Sequence, residues 1–143
     1  MSEVQRRQEE IIDEFALFDD WTSRYEYIID LGKSLEPLPE EYKTDDNLVR
    51  GCQSRVWLHA EFDGNRIRFL ADSDAVITRG LVALMIRVLS NLPPDDIASA
   101  ELYFIDRIGL KEHLSPTRAN GLLAMVKKMK MYALAFSAKT KPQ

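Results

Sequence analysis

The sequence predicts an α+β domain: a small antiparallel sheet of about three strands with several helices packed against it. Two observations carry this. Residues 56–71 alternate apolar and polar side chains around a turn signal, Asp63-Gly64-Asn65, and the segments on either side repeat apolar residues at helical spacing. A chain of 143 residues is long enough to bury one core and short for two. Residues 1–137 are therefore expected to form one domain, with 138–143 a short polar tail.

The first helix is expected over residues 4–18, with Val4, Ile11, Ile12, Phe15 and Phe18 on one stripe. Asp19-Asp20 interrupts that stripe and offers an N-cap to a second helix bearing Trp21, Tyr25, Ile28 and Ile29, which Gly32 is placed to end. Residues 34–48 read as a long irregular connection, with Pro37, Pro39 and the polar run Thr44-Asp45-Asp46-Asn47; loops of that length in compact domains are often functional. Val56, Leu58, Ala60 and Phe62 mark the first strand, and Ile67, Phe69 and Ala71 the second. Asp72-Ser73-Asp74 supplies candidate caps for a third helix over 75–90, apolar nearly all round and so the most buried, which Pro93-Pro94 stops. Residues 97–104 read as a short third strand, followed by a helical turn ending at Gly109. Ser115-Pro116 opens a long last helix whose core face is expected to hold Leu122, Leu123, Met125, Val126, Met129, Tyr132, Ala133 and Phe136.

Composition narrows the function. The net charge of −4 is a poor footprint for nucleic acid or an anionic membrane. One cysteine excludes an intrachain disulfide, and with two histidines it leaves little material for a metal site. The N-terminal segment is charged at helical spacing and does not read as a secretory signal, and no apolar run approaches a membrane span. A cytoplasmic protein with a reduced thiol is expected.

Cys52 is the residue with chemistry to offer. It lies in Val49-Arg50-Gly51-Cys52-Gln53-Ser54-Arg55-Val56-Trp57, where the polar loop enters the first strand. Gly51 permits a backbone geometry that would present the thiol at a sharp turn. Arg50 and Arg55 bracket it, and nearby cations lower a thiol's pKa. A buried, merely packing cysteine is the opposing reading. His59 is the one nearby candidate base, although its strand parity suits the less buried sheet face better; His113 reads as a helix-end residue. Lys127, Lys128, Lys130, Lys139 and Lys141 fall in a stretch without acids, and are expected to complement the helix dipole.

Gly51-Cys52-Gln53-Ser54 followed by Val56-Trp57 resembles the SufE family, sulfur acceptors for cysteine desulfurases in iron–sulfur cluster assembly. Three further stretches extend the resemblance over roughly residues 21–136. They are Trp21, Tyr25 and Tyr27-Ile28-Ile29 with Leu31-Gly32; Asp72-Ser73-Asp74-Ala75 with Gly80-Leu81; and Leu114-Ser115-Pro116-Thr117-Arg118 with Gly121-Leu122. The resemblance implies a fold similar to the iron–sulfur scaffold fold, without the scaffold's several metal-binding cysteines.

It also implies a role. Cys52 would accept sulfane sulfur from a desulfurase persulfide, stimulate that enzyme and pass the sulfur onward to an iron–sulfur scaffold. Gly51, Gln53 and Ser54 would support the cysteine loop, and Arg118, Asp74 and Arg55 are candidate contacts to the persulfide or the partner. No metal or cofactor is implied on this chain, because the desulfurase, of the SufS or CsdA type, brings its own pyridoxal phosphate. Arg50 and Arg55 give the loop more positive charge than the family motif requires, which bears on which desulfurase it serves. A non-catalytic desulfurase regulator and a thiol-dependent hydrolase or transferase stand as alternatives.

Overall fold

The computed structural model describes residues 1–140. The chain begins with helices α1 (Glu3–Phe15) and α2 (Trp21–Lys33), and two short 3-10 turns, Glu40–Tyr42 and Asp45–Asn47, follow. Next come strands β1 (Val56–Phe62) and β2 (Ile67–Ser73) and helix α3 (Val76–Leu89). Three short helices, α4 (Pro94–Ala98), α5 (Phe104–Arg107) and α6 (Leu110–His113), lead to the long α7 (Pro116–Thr140). The expected tail begins inside α7, so residues 138–140 are helical, and 141–143 lie outside the described residues.

Local chemistry sets these elements. Ser2 and Gln5 form a reciprocal capping box on α1, and the Asp20 carboxylate accepts the Ser23 amide at the start of α2. β1 and β2 pair antiparallel from Val56↔Ser73 to Phe62↔Ile67. The Asp63 carboxylate accepts the amides of Asn65 and Arg66 at 2.8 and 2.7 Å, which closes the hairpin turn.

The sheet has two strands rather than three. Of the residues expected in the third, Ile97 and Ala98 end α4, 99–103 form an irregular link, and Phe104 opens α5. Pro94 holds a helical φ at the first position of α4, and Asp95 and Asp96 follow in its first turn, where acids favour a helix. The free edge of β2 receives a single bridge instead, Ile67↔Leu92, with Ile67 N–H to Leu92 O at 2.9 Å. Gly109 does close the following turn, with φ of +83°.

One cluster of buried side chains draws on residues from Val4 to Ala133. α3 lies at its centre, against α1, α2, β2 and α7. Its Ile77, Leu81, Val82, Leu84, Met85, Val88 and Leu89 are buried as expected, whereas Val76 at its first position is exposed. The Asp72-Ser73-Asp74 stretch does not cap α3 in the expected way. Ser73 ends β2, Ala75 is the cap residue, and no side chain caps the α3 amides. Asp72 instead pairs with Arg79 at 3.0 Å and Lys43 at 3.7 Å. On α7, Leu122, Met125, Met129 and Ala133 form the buried stripe; Leu123, expected there, lies one residue out of phase and is exposed.

Gly32 lies inside α2 and does not end it. It marks the point where α2 and α3 touch backbone to backbone. A Cβ on Gly80 would stand 2.1 Å from Ile28 O, and one on Gly32 would stand 2.7 Å from Gly80 N. Gly80→Ala therefore forces the two helices apart, because no rotamer change moves a carbonyl. A loss of at least about 2 kcal/mol is expected, overpacking outweighing the roughly 1 kcal/mol that alanine adds to helix propensity. Urea denaturation measures it, and an unchanged midpoint would show that the crossing is not tight.

Candidate functional site

Cys52 lies on a short arc of chain, residues 50–54, pinned on both sides. Before the arc, Leu48 bridges to Trp57, Val49 N–H reaches Val56 O at 2.8 Å, and Lys128 Nζ of α7 donates to Leu48 O at 3.1 Å. After it, Arg55 N–H donates to Asp74 Oδ1 at 3.0 Å, and Asp74 N–H returns to Arg55 O at 3.2 Å. These contacts extend the hairpin just past its ladder. Gly51 has φ of +96°, the left-handed geometry that only glycine adopts cheaply, and it turns the chain so that the thiol points back at α7.

There the Cys52 S–H donates to Gly121 O at 3.4 Å. A cavity of about 80 Å³ adjoins the sulfur. Leu81 and Val82 from α3 and Leu122 and Met125 from α7 give it apolar walls; Thr78, Thr117, Gln53, Ser54 and Arg118 give it a polar side. Arg118 is in the first turn of α7, where its amide donates to the Ser115 hydroxyl at 3.3 Å. The structure thus brings Cys52, Gln53, Ser54 and Arg118 together. Asp74 and Arg55 are not among the cavity's lining residues, and their contact with each other is the clasp at the loop's exit.

The electrostatics differ from expectation. Burial pushes the Cys52 thiol above its ordinary range, and no lowering by Arg50 or Arg55 offsets it. Arg55 is exposed, and Arg50, also exposed, acts on Lys128, whose pKa is lowered first by burial and then by that guanidinium. Desolvation of half-buried sulfur outweighs cations that water screens.

Neither histidine serves the thiol. His59 stacks on Tyr42 at 3.8 Å between ring centroids, and His113 stacks on Trp21 at 4.0 Å. Lys139 is in the last turn of α7, where the helix dipole acts, whereas the mid-helix lysines act as clips: Lys128 holds Leu48 O, and Lys130 holds Ala100 O. The close approach of Gly121 to the sulfur was missing from the expected site. Its only sequence signal is a glycine one turn into a helix that otherwise has good formers. Among the described residues, no group of three or more His, Cys, Asp or Glu is placed to hold a metal ion.

A raised thiol pKa has a definite sign in stability. The unfolded thiol loses its proton at lower pH than the folded one, so stability falls as pH climbs from about 8.5 toward the folded midpoint. Cys52→Ser should flatten that decline in pH-dependent melts. In the native protein, iodoacetamide alkylation of Cys52 should show a midpoint above about 8.5; a midpoint at or below it contradicts the burial argument.

Comparison with known proteins gives a consistent result. The family model for SufE, the Fe-S metabolism associated domain, matches residues 9–133. A SufE-like protein of Rhizobium etli is 45% identical over 127 residues, covering 85% of this chain and 86% of that protein. SufE-like protein 1 of Arabidopsis thaliana, described as chloroplastic/mitochondrial, is 39% identical over 97% of this chain, which corresponds to 38% of that longer protein. The solution structure of a hypothetical protein from Thermus thermophilus superposes with a TM-score of 0.76 over 92% of this chain and 96% of that one. At 18% identity, that likeness speaks to the fold alone.

Proposed function

This chain belongs to the SufE family, whose domain is associated with Fe-S metabolism, and on that premise we propose that it is a sulfur carrier. Cys52 accepts sulfane sulfur from the persulfide of a pyridoxal-phosphate-dependent cysteine desulfurase and passes it toward an iron–sulfur scaffold. One observation carries the reading: the chain's single thiol is displayed on a pinned arc, half-buried against a cavity that Arg118 lines. In the transfer, the Cys52 thiolate attacks the outer sulfur of the donor persulfide and the donor cysteine leaves as a thiolate. The sulfur–sulfur bond broken is replaced by one formed, so no external oxidant or reductant enters. A second nearby thiol would discharge the cargo by forming a disulfide, and this chain has no other cysteine.

The setting proposed is the cytoplasm, where the thiol stays reduced. A hydrolase or transferase built on Cys52 needs a base. His59, the one candidate, is stacked on Tyr42, and no histidine lines the cavity. The regulator reading differs from the carrier in one respect: it does not need the sulfur.

Incubation with a desulfurase and cysteine should add about 32 Da, one sulfur atom, to the wild-type protein, as read by mass spectrometry. Cys52→Ser should keep the fold and gain nothing. A serine variant that still stimulates the desulfurase at the wild-type rate would replace the carrier by a regulator.

Arg118 is the proposed contact for the incoming anion. It is exposed, in the first turn of α7, and carries a guanidinium that stays charged and can donate to a persulfide or a partner carboxylate. Arg118→Ala should change stability by no more than about 0.5 kcal/mol and slow sulfur acceptance. Lysine should restore only part of the rate, because it keeps the charge without the planar fork. A normal acceptance rate in Arg118→Ala removes this residue from the site.

A further inference from the structure

Gly121 meets the sulfur in two ways at once. Its carbonyl oxygen accepts the Cys52 S–H at 3.4 Å, and Cys52 rests against the space its missing side chain leaves. A Cβ at this position would stand 3.3 Å from Cys52 Sγ, 3.6 Å from its Cα and 3.7 Å from its Cβ, and those are the three nearest atoms it would meet. Cys52 is therefore the residue that the missing side chain at 121 lets closest. We infer that Gly121 is a positioning residue that holds Cys52 while its sulfur is an uncharged thiol and releases it when the sulfur is an anion. The inference rests on the carrier reading and deepens it by stating how the empty and loaded forms differ.

The chemistry is that of a donor meeting an acceptor. A thiol has one proton to offer, and the Gly121 carbonyl takes it. A thiolate has none, and its charge would face the negative end of the same carbonyl. A persulfide has none at Sγ either, since that sulfur is bonded to the cargo atom. The thiolate thus exchanges an attraction for a repulsion at this contact, whereas the persulfide, whose charge sits on its outer sulfur, loses the attraction. Around it, β1 contributes Val56 and α3 contributes Thr78, Leu81 and Val82, none of them charged. Arg118 of α7 is the one charged side chain among the described lining residues, and it lies on the polar side. Arg50 and Arg55 flank the arc in sequence, and Arg50 acts on Lys128 of α7. An anionic sulfur that leaves Gly121 has Arg118 to turn toward. Burial already raises the pKa of the docked thiol, and the carbonyl contact favours the protonated form in the same direction.

Gly121→Ala separates this role from ordinary packing. The added methyl makes the sulfur give way by a few tenths of an ångström, which loosens its contact with the carbonyl, and costs the helix nothing, because alanine is the better helix former. The pH dependence of iodoacetamide alkylation is the readout, and it needs no desulfurase. The variant's midpoint should fall by about half a unit or more toward the ordinary thiol value, so that alkylation at pH 7 is about threefold faster or more. An unchanged or higher midpoint overturns the inference. Local fit is checked in a second background: with Cys52→Ala, which removes the sulfur, Gly121→Ala should not lower the melting temperature. An equal drop in both backgrounds would place the clash elsewhere and also overturn it. Failure of the carrier reading shows separately, as no mass gain from desulfurase and cysteine with a normal alkylation profile.

Discussion

The crossing of α2 over α3 is the contact on which the other placements depend. With glycine at 80, the α3 backbone comes close enough to Ile28 O that no Cβ could be accommodated. Such an approach makes α3 the buried axis of the molecule, and its apolar residues then face α1, α2, β2 and α7 in turn. Axial position also fixes what α3 shows the thiol. Thr78, Leu81 and Val82 lie on either side of Gly80 in the sequence of α3 and form one wall of the cavity beside Cys52. A helix pushed outward by one side chain would carry that wall with it, since packed interiors transmit strain rather than absorb it. The site is thus built on a rigid axis, although the cysteine itself is on a loop.

Much of this was legible in the sequence for identifiable reasons. The hairpin was readable because alternation and an Asp-Gly turn agree, and α3 was readable because a helix apolar on every face has nowhere to go but inside. The misassigned stretch at 97–104 was apolar and short, the case in which periodicity does not separate strand from helix. The Pro93-Pro94 signal, read as a stop for α3, is together with Asp95 and Asp96 equally the start of α4. Gly32 misled through the same ambiguity of function. A glycine near a helix end suggests a cap, but its partner, Gly80, is 48 positions away, and no local pattern links the two. Asp72-Ser73-Asp74 has the composition of a helix cap, yet its two carboxylates are spent on Arg79, Lys43 and the Arg55 amide.

At the site, residue identity was legible and environment was not. Cys52, Gln53 and Ser54 line one cavity with Arg118, which a separate motif supplies. The thiol's electrostatics ran opposite to the reading from its flanking arginines. The reason is one of magnitude: an exposed charge acting through water contributes about 1 kcal/mol at 4 Å and less beyond, whereas withdrawing half the sulfur from water acts on the ionised form directly. Sequence places charges next to a residue along the chain, but burial depends on what the fold brings from elsewhere. Here that is α7, contributing Gly121 from 69 residues away.

A carrier of reactive sulfur faces two demands that conflict. A fully exposed persulfide is open to any thiol that diffuses past, and a fully buried one cannot be delivered. A rigid pocket meets the first demand and a free loop the second. In this chain the arc at residues 50–54 is short and clasped at both ends, so its backbone has few ways to move. The adjustable element is instead the single contact at its tip, where a weak S–H donor meets a carbonyl. Weak contacts of this kind reconcile the two demands, since a hydrogen bond whose net worth is about 1 kcal/mol biases a position by roughly fivefold without locking it. In the proposed carrier role that bond exists only while the sulfur is protonated and unloaded, so the chemistry of the cargo itself would decide whether the cysteine is held.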